Sequence, residues 1–315
     1  MNALQRTHFS ILERLNNRNV NPKRTKEQLK TPLIVLTTVI LTILIISPHT
    51  GRGRTDSPET RKQQATPESI QTKEELTAKI AGYLEGQSDY VSVAVKDLNG
   101  GETYNLANER EYDGASTVKL AIVGYMYNQA ANNQFDLDQV INIPSGDVQR
   151  YGTGSIQYEK GPWKYSYRQL AQRMMHESDN TAAYVLAKNL DTKKLQAFVD
   201  QIGLVNTSIE KNTTTASDMV LLMEKVYRSQ LTEPSLNKEL LDNMYKTKYE
   251  DRLPAQLPSD VKVFHKTGDA FDGGFHDVGV VEYNNRVYAV AIFTHGLTKE
   301  DIAEVSKYVF QYMTR

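Results

Sequence analysis

The sequence predicts an α+β fold: an antiparallel sheet, flanked by helices from both ends of the domain, with an all-helical subdomain inserted between its strands. Two observations carry this. Alternating apolar strands with hairpin turns stand near both ends of the folded region, over 90–104 and 261–292. Between them lie capped segments whose apolar residues recur at helical spacing.

In chain order, residues 1–31 form a basic tail in which Arg6, Arg14, Arg18, Lys23, Arg24, Lys26 and Lys30 face Glu13 and Glu27. Residues 32–48 are an uncharged apolar run, which as a helix spans about 25 Å at ~1.5 Å per residue, the short end of what a bilayer needs. It exceeds a usual signal-peptide core, and no small-x-small cleavage site follows it. The run is therefore expected to be a transmembrane anchor. The basic flank predicts a cytoplasmic N-terminus and an extracytoplasmic domain, held at the cell membrane by a single pass. Residues 49–71, with Gly51, Gly53, Pro58 and Pro67 and no apolar periodicity, read as a disordered linker. The folded domain is expected over 72–315.

It opens at the capping box Thr72-Lys73-Glu74-Glu75, whose helix turns Leu76, Ile80, Tyr83 and Leu84 inward. Tyr90 to Val95 alternates and turns at Asn99-Gly100 into Glu102-Thr103-Tyr104. Ser116 falls in the first turn of a buried helix carrying Leu120 to Met126. Ser166-x-x-Gln169 and Thr215-x-x-Asp218 cap helices, and Thr181–Leu190, Leu195–Ile202 and Leu236–Met244 supply others. Val261 to Lys266 is a strand, and Asp277–Val281 and Val287–Ile292 pair across Asn284-Asn285. A last helix buries Ile302, Val305, Val309 and Tyr312.

Composition narrows the chemistry. Lys and Arg number 37 against 38 Asp and Glu, so no strong field recruits nucleic acid. With no cysteine there is no disulfide, thiolate site or cysteine nucleophile. The six histidines are scattered without a His-x-x-x-His pair, so no metal and no cofactor is expected.

Ser116-Thr117-Val118-Lys119 places a hydroxyl and an amine on one helical face, a nucleophile beside a base. Alone the pattern says little, since it recurs at Ser208–Lys211, Ser235–Lys238 and Ser259–Lys262. Two further motifs follow it in order: Ser178-Asp179-Asn180 between helices, and Lys266-Thr267-Gly268 closing a strand. Each tripeptide arises by chance in roughly 5–10% of chains this long, so the ordered set is a strong signal.

With these motifs, and with Gly152-Thr153-Gly154, Thr213-Thr214-Thr215 and Arg252-Leu253-Pro254, residues 73–315 resemble the class A β-lactamases and their penicillin-binding relatives. The resemblance implies a serine hydrolase of the same sheet-plus-helices fold. Ser116 would attack a β-lactam or D-Ala-D-Ala-type carbonyl and form an acyl-enzyme. Lys119, its pKa lowered by burial and by Lys266, would take the proton. Ser178 would relay a proton to the leaving nitrogen, and Asn180 would hydrogen-bond the substrate side-chain amide. Lys266 and Thr267 would hold the substrate carboxylate, with Arg252 assisting. The N–H groups of Ser116 and of Asp269, after Gly268, would form the oxyanion hole. Asp179 reads as a helix cap. Trp163 and His265 read as packing, and Tyr158, Tyr165 and Tyr167 as surface of the helical subdomain.

One departure stands out. The family carries a long loop before Thr213-Thr214-Thr215, with a Glu and an Asn that hold the deacylating water. Here Leu204 to Asn212 runs straight into Thr213, about a dozen residues short. Glu210 is the single carboxylate in the gap, and it is either a substitute base or a solvated turn residue. Acylation has all its groups, whereas deacylation lacks a catalyst ordinarily contributing 10²–10⁴-fold. The readings left open are a β-lactamase, a D,D-peptidase acting on cell-wall peptides, and a penicillin-binding module that stays acylated.

Overall fold

The computed structural model describes residues 70–315. The basic tail, the apolar run 32–48 and the linker to residue 69 lie outside the described residues. Among residues 70–315 no helix is long and apolar enough to cross a membrane.

Helix α1 (Lys73–Tyr83) starts at the expected Thr72–Glu75 capping box and buries Leu76 and Ile80 completely. Tyr83 departs from the expectation. It is 38% exposed, and its hydroxyl donates to Asp301. Strands β1 (Val91–Asp97) and β2 (Thr103–Leu106) form the first hairpin, and β3 (Tyr112–Asp113) leads into a 3₁₀ turn over Ala115–Val118. Helix α2 (Lys119–Ala131) is the predicted buried helix.

Strands β4 (Val140–Ile143) and β5 (Trp163–Ser166) pair with each other, so Trp163 sits on a short strand ahead of α3 (Tyr167–His176). Tyr158 is exposed as expected, but Tyr165 and Tyr167 are buried, because their rings join the core of the helical subdomain. Helices α4 (Asn180–Asn189) and α5 (Thr192–Gln201) follow, then β6 (Thr213–Thr214), α6 (Ala216–Tyr227) and α7 (Pro234–Asp242). Strands β7 (Lys262–Asp269), β8 (Phe275–Tyr283) and β9 (Arg286–Thr294) precede the closing helix α8 (Lys299–Met313). Asn284 and Asn285, with φ of 45° and 63°, make the tight β8–β9 turn that the paired asparagines predict.

The main sheet is antiparallel in the order β2-β1-β9-β8-β7. Both of its faces are covered, which explains why β1 and β9 are almost continuously apolar. Val93, Val95, Val290 and Ile292 pack with α1 and α8, while Ala94, Ala289, Ala291 and Phe293 pack with α6 and the helical subdomain. Alternation along each strand thus feeds two cores. Fully buried aliphatic side chains such as Leu76, Ile80, Ile302 and Val309 each contribute about 1.5–3 kcal/mol. Strand β7 ends this sheet, and its free edge faces the 3₁₀ turn and the helical subdomain.

Candidate active site

The turn bearing Ser116 is held in an uncommon backbone. Ala115 has φ +46°, a left-handed conformation costing an L-residue on the order of 1 kcal/mol or more. Asp113 Oδ1 accepts from Ala115 N at 3.0 Å and from Asn212 Nδ2 at 2.8 Å, and Asn212 N
δ2 also reaches Ala115 O at 3.4 Å. Asp113 and Asn212, neither assigned a role from the sequence, clamp the turn. Instead of entering an α-helix directly, Ser116 sits in 3₁₀ geometry, where residues i and i+3 eclipse. Ser116 and Lys119 therefore project from the same side. Ser116 is half-buried, and its hydroxyl makes no hydrogen bond among the described residues.

Ser178 is also left-handed, with φ +55°, between α3 and α4. Asp179 explains how it stays there. Its carboxylate accepts from Ala182 N at 2.9 Å, capping α4, and from Ile156 N at 3.0 Å. Thr153 Oγ1 donates to Ser178 O at 2.7 Å, and Asn180 N donates to Thr153 O. Gly154 has φ +106° and passes so close to Asp179 that any side chain there would collide. Asp179 is thus committed to backbone N–H groups, as a cap.

Two amines converge on the Ser178 hydroxyl. Lys266 Nζ lies 2.9 Å and Lys119 Nζ 3.3 Å from Oγ. Lys119 also donates to Ser178 O at 2.7 Å and to Asn180 Oδ1 at 3.0 Å, while Lys266 reaches Thr267 O at 2.8 Å. With Oγ accepting from Lys266, the Ser178 proton is left to donate into the cleft. Asn180 Nδ2 reaches Tyr151 O at 3.3 Å.

Burial lowers the Lys119 pKa to about 7, against the opposing pull of Asp179. Burial, and then the charge of Lys119, hold Lys266 well below its usual value. Near pH 7 about half of Lys119 is therefore neutral. The neutral amine keeps two donors, so it gives up the longest of its three contacts, 3.3 Å to Ser178 Oγ, and has a lone pair for the Ser116 proton.

Gly268 closes the gap between strand and turn. A Cβ placed on it would stand 3.2 Å from Ser116 N and 3.1 Å from Ala115 Cβ, so this approach needs glycine. The first closed bond of the turn runs from Thr117 N to Gly114 O, which leaves the Ser116 N–H open. Ala270 N bonds inward to Gly274 O, and His265 N bonds outward to Met244 O. Strand alternation therefore points the Asp269 N–H to the free edge. Two open N–H groups flank the nucleophile, the arrangement an oxyanion requires. The Thr267 hydroxyl makes no hydrogen bond among the described residues.

Arg252 is placed otherwise than expected. Its side chain is 1% exposed, bonded to Gly268 O at 3.0 Å, to His276 O at 2.8 Å and to the Asp269 carboxylate. It braces the end of β7 from behind and offers the cleft no free guanidinium. Glu210 is exposed in the short turn between Ser208 and Thr213, which pair with each other, and none of the cluster's hydrogen bonds involves it.

His265 is more than the packing residue its strand position suggests. Fully buried, it bonds both oxygens of Asp277, at 2.9 and 3.0 Å, and Glu250 Oε1 at 3.0 Å. Burial alone would lower its pKa, but the two carboxylates outweigh that and raise it to about 9. Asp277 also accepts from Leu253 N, so this ionic group fastens the loop carrying Arg252 to β7 and β8. No sequence spacing signals it, because Glu250, His265 and Asp277 meet only through the fold.

Comparison with known proteins agrees with this geometry. The curated β-lactamase VEB-1 of Pseudomonas aeruginosa is 23% identical over 272 residues, covering 75% of this chain and 90% of that protein. The solved structure of PBP-A is 26% identical with a TM-score of 0.69, covering 75% of this chain and 94% of that one. A variant of PBP-A, solved as an acyl-enzyme complex with penicillin G, matches at 25% identity and the same TM-score. The extended-spectrum β-lactamase TLA-3 shares the fold, with a TM-score of 0.72 at 21% identity over 78% of this chain and all of that one. The β-lactamase enzyme family profile matches residues 74–313, and the chain therefore belongs to that family of serine hydrolases, which work through an acyl-enzyme.

Proposed function

We propose that this protein takes an acyl group from a β-lactam or a related donor onto Ser116 and releases it slowly. The observation that carries the reading is the convergence of Lys119 and Lys266 on the Ser178 hydroxyl, beside the open N–H of Ser116. Ser116 Oγ attacks the carbonyl as its proton passes to neutral Lys119. The two open N–H groups hold the oxyanion, and Ser178 protonates the departing nitrogen. Asn180 and Thr267 position the donor.

Slow release follows from what surrounds the cluster. The carboxylate against Lys119 is Asp179, whose oxygens are both engaged by backbone N–H groups. Glu210 lies exposed in a tight turn. A water at the acyl carbon would thus lack a positioned carboxylate base, a group worth typically 10²–10⁴-fold.

The short Ser208–Thr213 turn also favours a second reading. A D,D-peptidase acting on cell-wall peptides uses the same acylation, and slow hydrolysis of a β-lactam adduct suits such an enzyme as well. The apolar run 32–48 behind a basic tail supports an anchored protein with its catalytic domain outside the cytoplasm.

The test is to mix the protein with a chromogenic cephalosporin and with penicillin, following absorbance and intact mass. Steady turnover supports a β-lactamase. A persistent Ser116 adduct together with cleavage of a D-Ala-D-Ala peptide supports the peptidase. No adduct with any donor rejects both.

A further inference from the structure

Asp269 directly follows Gly268, so the residue whose N–H faces the oxyanion position also brings a carboxylate to the cleft. That carboxylate is bonded to Arg252, and the partners differ sharply in exposure: 1% for the Arg252 side chain and 55% for that of Asp269. The cation is buried, and the anion is what the edge of the cleft presents.

The neighbouring charges do not change this. Arg252 uses its remaining contacts on Gly268 O, His276 O and, at 3.5 Å, Asp251, which is itself paired with Lys299. Arg252 and Lys299 are thus balanced by Asp269 and Asp251. Lys266 is left, but it is 2% exposed, bonded to Ser178 Oγ and Thr267 O, and burial favours its neutral form. A substrate carboxylate arriving at Thr267 meets Asp269 before any unpaired cation, and like charges at contact distance repel strongly where water is partly excluded.

Resting on the acyl-donor reading above, we propose that Asp269 sets specificity at the Thr267 end of the cleft: its carboxylate takes the place beside Arg252 that a substrate carboxylate would otherwise occupy. The enzyme therefore acylates faster on donors with an uncharged or cationic group there than on donors with a carboxylate. The favoured class is one whose leaving group continues as an amide or bears an amine, as at an internal peptide bond, rather than one ending in a free acid. This is discrimination by repulsion against the wrong ligand.

The test uses the full-length protein and two N-acylglycyl thioesters that differ only in the leaving group, thioglycolate or thioglycolamide. In each, the bond from Ser116 Oγ to the acyl carbon forms, the C–S bond breaks, and the sulfur leaves carrying the serine proton as a thiol. Thiol release gives the rate, and intact mass gives the adduct. The expected result is at least tenfold faster acylation by the amide donor. In Asp269→Asn the carboxylate-to-amide rate ratio rises at least tenfold, and Asp269→Ser moves it the same way should the first variant misfold. An unchanged ratio with adduct still formed on Ser116, or a wild-type preference for the carboxylate donor, overturns the role of Asp269 alone. Absence of any adduct from both donors overturns the acyl-donor reading and this inference with it.

Discussion

Lys266 Nζ lies 2.9 Å from Ser178 Oγ, across 88 residues of chain and between the sheet and the helical subdomain. The contact ties the last strand of the sheet to the loop between α3 and α4, and it brings the second amine to the hydroxyl that Lys119 also touches. Replacing Lys266 with Met keeps much of the volume and removes the amine. Acylation by penicillin is expected to fall at least 10²-fold, the scale of a lost proton-transfer or charge-stabilising group, read from the second-order rate of adduct formation.

The buried amine of Lys119 must be neutral to accept the Ser116 proton, and its pKa is about 7. The acylation rate should therefore climb with pH from 6 and level off above about 8. Lys119→Ala should lower the plateau 10²–10⁴-fold and abolish the inflection. A rate that falls across this range in the wild type would exclude Lys119 as the base.

Gly268 stands against Ser116 N with no room for a side chain. Gly268→Ala pushes strand and turn apart by a few tenths of an ångström, and the two oxyanion donors separate with them. Loss of one such donor costs about 10²–10³-fold. Acylation is expected to drop by at least tenfold while the melting temperature moves by only a few degrees, measured by stopped-flow and thermal unfolding.

Behind the site, His265 is an imidazolium between Glu250 and Asp277, with its pKa raised to about 9. A pKa raised in the folded state stabilises fully below the unfolded value of about 6.5, and this contribution fades as pH rises through about 9. His265→Gln removes the cation and leaves Asp277 buried and unpaired. A loss of about 3–5 kcal/mol at pH 6 is expected, shrinking as the pH approaches 10. Urea unfolding of both proteins at several pH values checks it, and a pH-independent difference would contradict the ionic assignment.

Much of this was legible in the sequence, for reasons that differ from residue to residue. Capping boxes at Thr72 and Ser166 and the paired asparagines 284 and 285 mark element ends through local chemistry alone. Ser116, Ser178 and Lys266 were legible as ordered motifs. The left-handed Ala115 was not, because alanine carries no local signal for positive φ, and the clamp that fixes it, Asp113 with Asn212, spans 99 residues. Arg252 shows the opposite failure. Its offset from Lys266 suggested a substrate contact, but the carbonyls of Gly268 and His276 hold its guanidinium behind the strand and Asp269 takes its outer nitrogen, a contest that spacing cannot show. Tyr83 follows the apolar period of its helix yet turns its hydroxyl to Asp301 at the surface, since a buried phenol needs a partner.

The most direct test of the account is the intact mass of the protein mixed with penicillin G, followed over hours and mapped by peptide digestion. The account predicts a single adduct of the intact drug mass on Ser116, formed within minutes, decaying slowly, and absent from Ser116→Ala. An adduct on another residue, or none in the wild type while the fold stays intact, would contradict it.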